Sequence, residues 1–133
     1  MPTSLVEINP QSFVWCTSLD SIIIPESVRL IGSCAFQGCT SLTYVHIPDG
    51  TDLENSVFDG CRSLKEFTGR YASEDGRCLV KDSSIYAFAP AGLKEYTIPA
   101  GITSITSGFY ELNELERLTI HDSVQYIRQI EIP

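Results

Sequence analysis

The phrase Cys-Thr-Ser-Leu at residues 16–19 returns as Cys-Thr-Ser-Leu at residues 39–42 and as Cys-Arg-Ser-Leu at residues 61–64. The three leucines that end these phrases are 23 and then 22 residues apart. Repetition at a fixed period of about 20–50 residues is typical of a solenoid, in which each repeat is one turn that contacts its neighbours. The chain is therefore predicted to fold as a stack of similar turns.

Each repeat has an apolar pattern that predicts two short strands and a tight turn. In the first complete repeat, residues 22–24 alternate, so the outer two side chains face the core and the middle one faces outward. Pro25 ends this strand because proline donates no ladder hydrogen bond. A second extended piece follows at residues 28–32. Phe36 and Cys39 are three residues apart, which predicts a short helical or 3₁₀ piece.

The spacing of the repeats predicts one insertion. The leucines that begin successive repeats stand at positions 19, 42, 64, 93 and 115, so one step is longer than the others. Within residues 70–92, the segments 77–81 and 85–88 resemble strands, and residues 82–84 have turn chemistry. We therefore expect residues 1–133 to form one repeat domain of about five to six turns, from which a β-hairpin projects.

The charge of the chain limits its partners. It has 17 acidic and 9 basic residues, giving a net charge of -8. An acidic surface repels phosphate, so we expect neither nucleic acid nor anionic lipid as a partner. No apolar run is long enough to span a bilayer, and the first residues lack the pattern of a signal peptide. Because the first repeat begins almost at Met1, we expect this sequence to be a piece of a longer protein.

The five cysteines are predicted to be packing residues. An odd number does not suggest a disulfide framework. Cys16, Cys39 and Cys61 hold one repeat position and should stack as buried thiols, whereas Cys34 lies outside this row and should be more exposed. The chain lacks the short paired spacings of metal sites, so no metal or cofactor is expected. A thiol- or metal-dependent hydrolase that uses Cys34 and His46 remains an alternative.

The outward side of the first strands is the candidate binding surface, because repeat proteins commonly bind partners along a continuous strand surface. We call it the strand face. Its outward positions also include Ser21, and the candidate binding residues are Ile23, Tyr44, His46, Glu66, Thr68, Glu95, Thr97, Arg117 and Thr119. Ile23, Tyr44 and His46 form its apolar and aromatic end, which suits contact anchors. The alternative is that they are ordinary exposed residues.

The two ends of the stack raise a separate question. Leu5 and Ile8 near one end, and Ile127, Ile130 and Ile132 at the other, lack polar caps. Uncapped solenoid ends are adhesive, so end-to-end self-association is a possible outcome. Trp15, the single tryptophan, either caps the open core or contributes to a contact.

The repeats resemble the BspA-like leucine-rich repeats of bacterial and protist cell-surface proteins. The matching residues are 18–28, 31–32 and 35–39, and residues 72–90 look like a hairpin element of some members. The resemblance implies a right-handed leucine-rich-repeat solenoid, an extracellular or cell-surface location, and adhesion or recognition of a protein or glycan. It implies no catalytic activity. The alternative from another class is a structural spacer that displays a different domain.

Overall fold

The computed structural model describes Pro2, residues 4–110, Leu112 and residues 114–128, and all structural statements below concern these residues. Their regular structure consists of short β-strands. The strands are β1 (Glu7–Ile8), β2 (Ser21–Ile23), β3 (Leu30–Ile31), β4 (Tyr44–Ile47), β5 (Asp52–Leu53), β6 (Glu66–Gly69), β7 (Cys78–Lys81), β8 (Ser84–Phe88), β9 (Glu95–Thr97), β10 (Ser104–Ile105), β11 (Arg117–Thr119) and β12 (Tyr126–Ile127).

The strands stack in parallel in two rows, as a solenoid requires. The first row contains the sheets β2-β4-β6 and β9-β11, and the second contains β1-β3-β5 and β8-β10-β12. In register, Ile22 lies beside Val45, and Val45 lies beside Phe67. These residues are one repeat apart in the sequence, so each repeat contributes one strand to each row. The predicted solenoid is confirmed.

The predicted helical or 3₁₀ pieces are wrong, since the residues after the second strand form a run of turns instead. Cys34 has a φ of 59°, which interrupts helical geometry at the start of the run. The Phe36 amide then donates to Val57 O at 2.9 Å, and the Gly38 amide donates to Asp59 O at 2.8 Å. The Gln37 amide between them donates to Cys34 O, three residues back. Alternate amides therefore connect this turn to the next one, which a helix cannot do.

Aromatic side chains at one repeat position form the centre of the core. The Phe36 ring stacks on Phe13 with centroids 5.0 Å apart and on Phe58 at 5.6 Å. Phe88 stacks on Phe109 at 4.5 Å. Each such pair adds about 0.5–1.5 kcal/mol beyond area burial. The buried residues form two clusters, one that contains Phe36 and Phe58 and extends to Leu79 and Ala89, and another that contains Phe88 and Phe109.

The cysteines pack beside these rings as free thiols. Cys39 donates to Phe13 O at 3.2 Å, and Cys61 donates to Phe36 O at 3.1 Å, so each thiol bonds to the preceding turn. Both are buried, whereas Cys16 is half-buried. The neighbouring Cys39 thiol and burial raise the pKa of the Cys61 thiol. A protonated, buried thiol of this kind acts as a small apolar group with one weak donor.

A hairpin is present, but it does not project from the stack as predicted. β7 and β8 pair antiparallel, and β8 also pairs in parallel with β10, where Ile85 lies beside Ile105. Phe88 of β8 takes the same stacking position as the phenylalanines of the other turns. The second half of residues 70–92 is therefore an ordinary part of a repeat. The additional material is the loop before β7 and β7 itself, which we call the inserted segment (residues 70–83).

Polar contacts join the two core clusters. The Gly108 amide donates to Asp59 Oδ1 at 3.0 Å, and the Ser56 amide donates to Ser107 Oγ at 3.0 Å. The Ser107 hydroxyl in turn donates to Tyr86 O at 2.5 Å. Asp59 is buried, and this burial raises the pKa of its carboxyl group. We call this junction the seam.

Hydroxyl groups link successive repeats at the turn that follows the first-row strand of a repeat. In three turns a side-chain hydroxyl donates to the carbonyl of an apolar residue one turn earlier: Ser27 to Leu5 at 2.6 Å, Thr51 to Val28 at 2.6 Å, and Ser123 to Ile102 at 2.9 Å. We call these contacts the hydroxyl bridges. Since the acceptor is backbone, they require only that a turn precede the donor.

Some predicted positions fall at the ends. Ile8 is buried and Leu5 is half-buried against the first core cluster, whereas Ile127 is exposed. Ile130 and Ile132 lie outside the described residues. End-to-end association stays a prediction. Among the described residues, no helix has the length and apolar character needed to cross a lipid bilayer.

Candidate binding site on the strand face

The strand face is built by the alternation of short parallel strands. In β4, Val45 and Ile47 point into the core, so Tyr44 and His46 point outward. The parallel register places Tyr44 between Ser21 and Glu66. It places His46 between Ile23 and Thr68. The outward positions predicted for β2, β4 and β6 therefore come together in one sheet.

A hydrogen-bonded group occupies the centre of this sheet. The Thr68 Oγ1 atom lies 2.6 Å from the Tyr44 hydroxyl oxygen and 2.9 Å from His46 Nδ1. A threonine hydroxyl has one proton, so it donates to one of these partners and accepts from the other. In one arrangement Tyr44 donates to Thr68, Thr68 donates to His46 Nδ1, and the ring proton of His46 is on Nε2, facing outward. In the other, His46 Nδ1 donates to Thr68, Thr68 donates to the Tyr44 oxygen, and the Tyr44 hydroxyl proton is free to point elsewhere.

An exposed apolar side chain borders this polar group. Ile23 is 69% exposed and lies beside His46 across the β2–β4 pairing. On the other side, Gly69 ends β6 with a φ of 88°, and a Cβ there would lie 2.0 Å from Ile47 O and 3.0 Å from His46 Cε1. Glycine at position 69 thus lets the backbone approach His46 closely. The exposed side chain of Ile23 therefore lies next to two ring side chains, Tyr44 and His46, that hydrogen bonds to Thr68 hold in place.

The predicted continuous row of outward residues is divided in two. Glu95 and Thr97 lie beside Arg117 and Thr119 in the β9–β11 sheet, and β6 and β9 do not share a sheet among the described strands. The Phe67 amide of β6 donates instead to Gly76 O, at 2.7 Å, in the inserted segment. The inserted backbone therefore occupies the edge of β6 that a following repeat would use.

The second sheet offers a weaker site than the first. Arg117 Nη1 lies 3.7 Å from Glu95 Oε2, and both side chains are largely exposed. Exposed ion pairs of this kind contribute about 0–1 kcal/mol and are screened by salt. Thr97 and Thr119 are adjacent and exposed. This sheet has neither an aromatic residue on its outward face nor a large apolar one.

The structure does not assemble the cysteine–histidine pair of the hydrolase alternative. Cys34 lies in the turn after β3, where burial and the nearby Asp59 carboxylate raise the pKa of its thiol. His46 lies on β4, where its Nδ1 contacts Thr68. Within the described part of the chain, no group of three His, Cys, Asp or Glu residues is placed to hold a metal ion.

Trp15 is also an exposed aromatic residue, but it belongs to the turn region. It is 58% exposed, and its ring covers Gly38 so closely that an added Cβ would lie 2.2 Å from the ring atom Cε3. Its amide donates to Gln37 O at 2.8 Å. Trp15 therefore covers the next turn while leaving part of its ring accessible.

Sequence reasoning placed Tyr44, His46 and Thr68 outward but missed their contact. The missing information was the diagonal relation between strands: a residue contacts both its direct neighbour and the residue two positions away on the next strand. With the register known from the repeat period, Tyr44 and His46 both fall within reach of Thr68. Which rotamers bring the three together does not follow from the repeat.

Comparison with known proteins agrees with this architecture. A family model described as the BspA type leucine rich repeat region matches residues 1–75 in six copies. A leucine rich cell surface protein from Faecalibacterium prausnitzii A2-165 has a similar structure, with a TM-score of 0.83 and 24% identity over 96% of this chain and 36% of that chain. This likeness shows the same fold.

A leucine-rich repeat protein from Bacteroides ovatus ATCC 8483 gives a TM-score of 0.48 and 24% identity over 94% of this chain and 29% of that chain. The chain thus spans about one third of the length of each of these two proteins. No curated protein matches the sequence significantly.

Proposed function

The chain belongs to the BspA-type leucine-rich repeat family, and we propose that it is a non-enzymatic recognition module of a bacterial cell-surface or secreted protein. It binds a protein or glycan partner through the strand face. The family and fold are of a kind used for protein binding, and one structural relative is named a cell surface protein. A surface location agrees with both.

The observation that carries the proposal is the Thr68-centred group beside Ile23. Tyr44 and His46 are held in place by hydrogen bonds to Thr68, so little side-chain freedom is lost when a partner binds. The group offers ring surface, one outward polar hydrogen and an adjacent apolar contact. Both protein hot spots and sugar rings are bound by combinations of aromatic surface and fixed polar groups.

A catalytic role has no support from Cys34 or Cys78. Cys78 is buried in β7, and burial raises the pKa of its thiol to about 12. The pKa of the Cys34 thiol is also raised. The thiolate is the nucleophilic form of cysteine, so both groups are poor nucleophiles at neutral pH.

The test is a binding screen against bacterial and host surface proteins and against a glycan array. Thr68→Val removes the central hydroxyl while keeping the side-chain shape, and Ile23→Ala removes the apolar contact. Together they should weaken binding about tenfold or more, because fixed polar groups and an anchor are both lost. Thr17→Val makes the same chemical change at an exposed threonine outside the strand face and should leave binding within about twofold.

Two outcomes contradict the proposal. If a ligand is found and binds the Ile23→Ala/Thr68→Val variant as tightly as the native chain, the strand face is not its site. If no ligand binds in either screen, the spacer function gains support. In that case, replacement of this unit by unrelated repeats of equal length should preserve the function of the longer protein.

A further inference from the structure

A cleft of about 520 Å³ lies between the inserted segment and the turn that follows β9, which we call the fourth turn. It is polar on one side and mostly apolar on the other. The residues used below are Glu74, Asp75 and Val80 of the inserted segment and Pro99, Ala100 and Ile102 of the fourth turn.

The cleft is lined by the inserted segment, which follows β6 in the place where a short turn follows β2 and β4. Elsewhere in the stack, the turn after the first strand donates a hydroxyl bridge to the preceding turn. The position of Ser27 and Ser123 is occupied in the fourth turn by Gly101. Glycine has no hydroxyl, so the fourth turn makes no bridge at this position, and a Cβ added at Gly101 would meet no atom within 4 Å.

The charge of the cleft is negative. Among its lining residues are two carboxylates and no lysine or arginine. Asp75 Oδ1 accepts from the Ser73 hydroxyl at 2.6 Å and from the Arg77 amide at 2.9 Å, and its Oδ2 accepts from Tyr96 at 2.9 Å. Although partial burial opposes ionisation, these hydrogen bonds and the positive charge of Arg77 outweigh it and hold the pKa of Asp75 below its ordinary value. Glu74 beside it is exposed.

We propose that this cleft binds a lysine or arginine side chain from an extended segment of a partner protein. The aliphatic stem packs against Val80, Pro99 and Ile102, and the cationic group lies near Glu74 and Asp75. Long basic side chains combine these two properties, an apolar stem and a charged end. An acidic segment is repelled by the same carboxylates and by the net charge of -8.

This second site is distinct from the Thr68-centred group. It is formed by the inserted segment, the turn after β9 and Thr97 of the second sheet, whereas the Thr68-centred group is formed by β2, β4 and β6. A partner that contacts both would be held at two places by one module. The two contacts are separable by experiment because none of Ile23, Tyr44, His46 and Thr68 lines the cleft.

The experiment is a titration of the ¹⁵N-labelled chain with capped pentapeptides, followed by amide chemical shifts. The peptides are Gly-Gly-X-Gly-Gly, with lysine, arginine, norleucine or glutamate at X. The lysine and arginine peptides should shift the amides of residues 74–75, 80, 97–98 and 100–102 saturably, at millimolar concentrations. The norleucine peptide should bind about two- to fivefold more weakly, since it lacks the charge, and the glutamate peptide should give no saturable shifts.

Two variants locate the charge. Glu74→Gln should weaken the lysine peptide about two- to fivefold and leave the norleucine peptide unchanged. Glu26→Gln is the matched control. Glu26 is an exposed carboxylate in the turn that follows β2, at the position that Ala100 holds in the turn that follows β9. It should change neither affinity.

Several results overturn this inference. Equal binding of the lysine and norleucine peptides, saturable binding of the glutamate peptide, or an unchanged lysine affinity in Glu74→Gln each removes charge recognition. Shifts confined to other surfaces, or no shifts up to about 20 mM peptide, remove the site itself. Thr68→Val should not alter the peptide titration, so failure here leaves the strand-face proposal standing and is distinguishable from its failure.

Discussion

The hydroxyl bridge from Thr51 provides a direct test of what joins one turn to the next. Thr51 is fully buried, and its hydroxyl donates to Val28 O at 2.6 Å. Thr51→Val keeps the branched shape but removes the donor. Thr51→Ser keeps the donor but removes one buried methyl group. The two variants therefore separate the hydrogen bond from the packing at one position.

The expected magnitudes follow from these contacts. In Thr51→Val, a buried carbonyl loses its hydroxyl partner, which costs about 1–3 kcal/mol of unfolding free energy. In Thr51→Ser, the lost burial of one methyl group costs about 0.8 kcal/mol, with a small addition for the cavity. The valine variant should thus be the less stable of the two, although valine is the more apolar residue.

The measurement is urea denaturation followed by circular dichroism. The slope of unfolding free energy against urea concentration should be the same in all variants if unfolding is two-state. Thr97→Val is the control, because Thr97 is exposed on β9 and its replacement should change stability by less than about 0.5 kcal/mol. If Thr51→Val proves as stable as Thr51→Ser or more so, the hydroxyl bridges are not a source of stability.

Three further results are expected. Burial raises the pKa of Asp59 above its ordinary 3.8, so the folded state disfavours the carboxylate and stability falls as the pH rises from 3.8 through that raised pKa. Asp59→Asn can still accept from the Gly108 amide and does not titrate, so it should gain stability relative to the native chain over this pH range in urea titrations, and parallel pH profiles would refute this. Gly38→Ala should lower the melting temperature more in the native chain than in the Trp15→Ala variant, because without the ring only the strain of a φ of 73° remains. Equal losses of melting temperature in the two backgrounds would show that the ring moves aside. Ellman's reagent should modify Cys16 and Cys34 before the three buried thiols, and simultaneous modification of all five would contradict the packing.

Much of the fold could be predicted because the repeat period fixes register. Once leucines recur at 22–23 residues, parallel stacking of the residues between them follows. The turn around Phe36 was mistaken for a helical piece because a spacing of three residues also arises when alternate amides bond to the next turn. The hairpin was expected to project because leucine counting alone hides the ordinary repeat positions of Ile85 and Phe88 in β8.

The candidate site was predictable to the level of side-chain direction. Alternation within β4 identifies Tyr44 and His46 as outward residues, and the period places Thr68 on the next strand. The division of the face was not predictable, since it depends on the Phe67 amide bonding to Gly76 in a segment with no repeat pattern. Binding by any of these residues stays a prediction.

The hydroxyl bridges and the thiol bonds share one direction along the stack. The hydroxyls of Ser27, Thr51 and Ser123 and the thiols of Cys39 and Cys61 all donate to the carbonyl of an earlier turn. These five donors therefore give the stack a polarity, since they are aimed toward the N-terminus. A turn inserted in the opposite sense would set donor against donor and leave buried carbonyls unbonded. Only units added head to tail, in the order in which the chain is synthesised, continue the pattern.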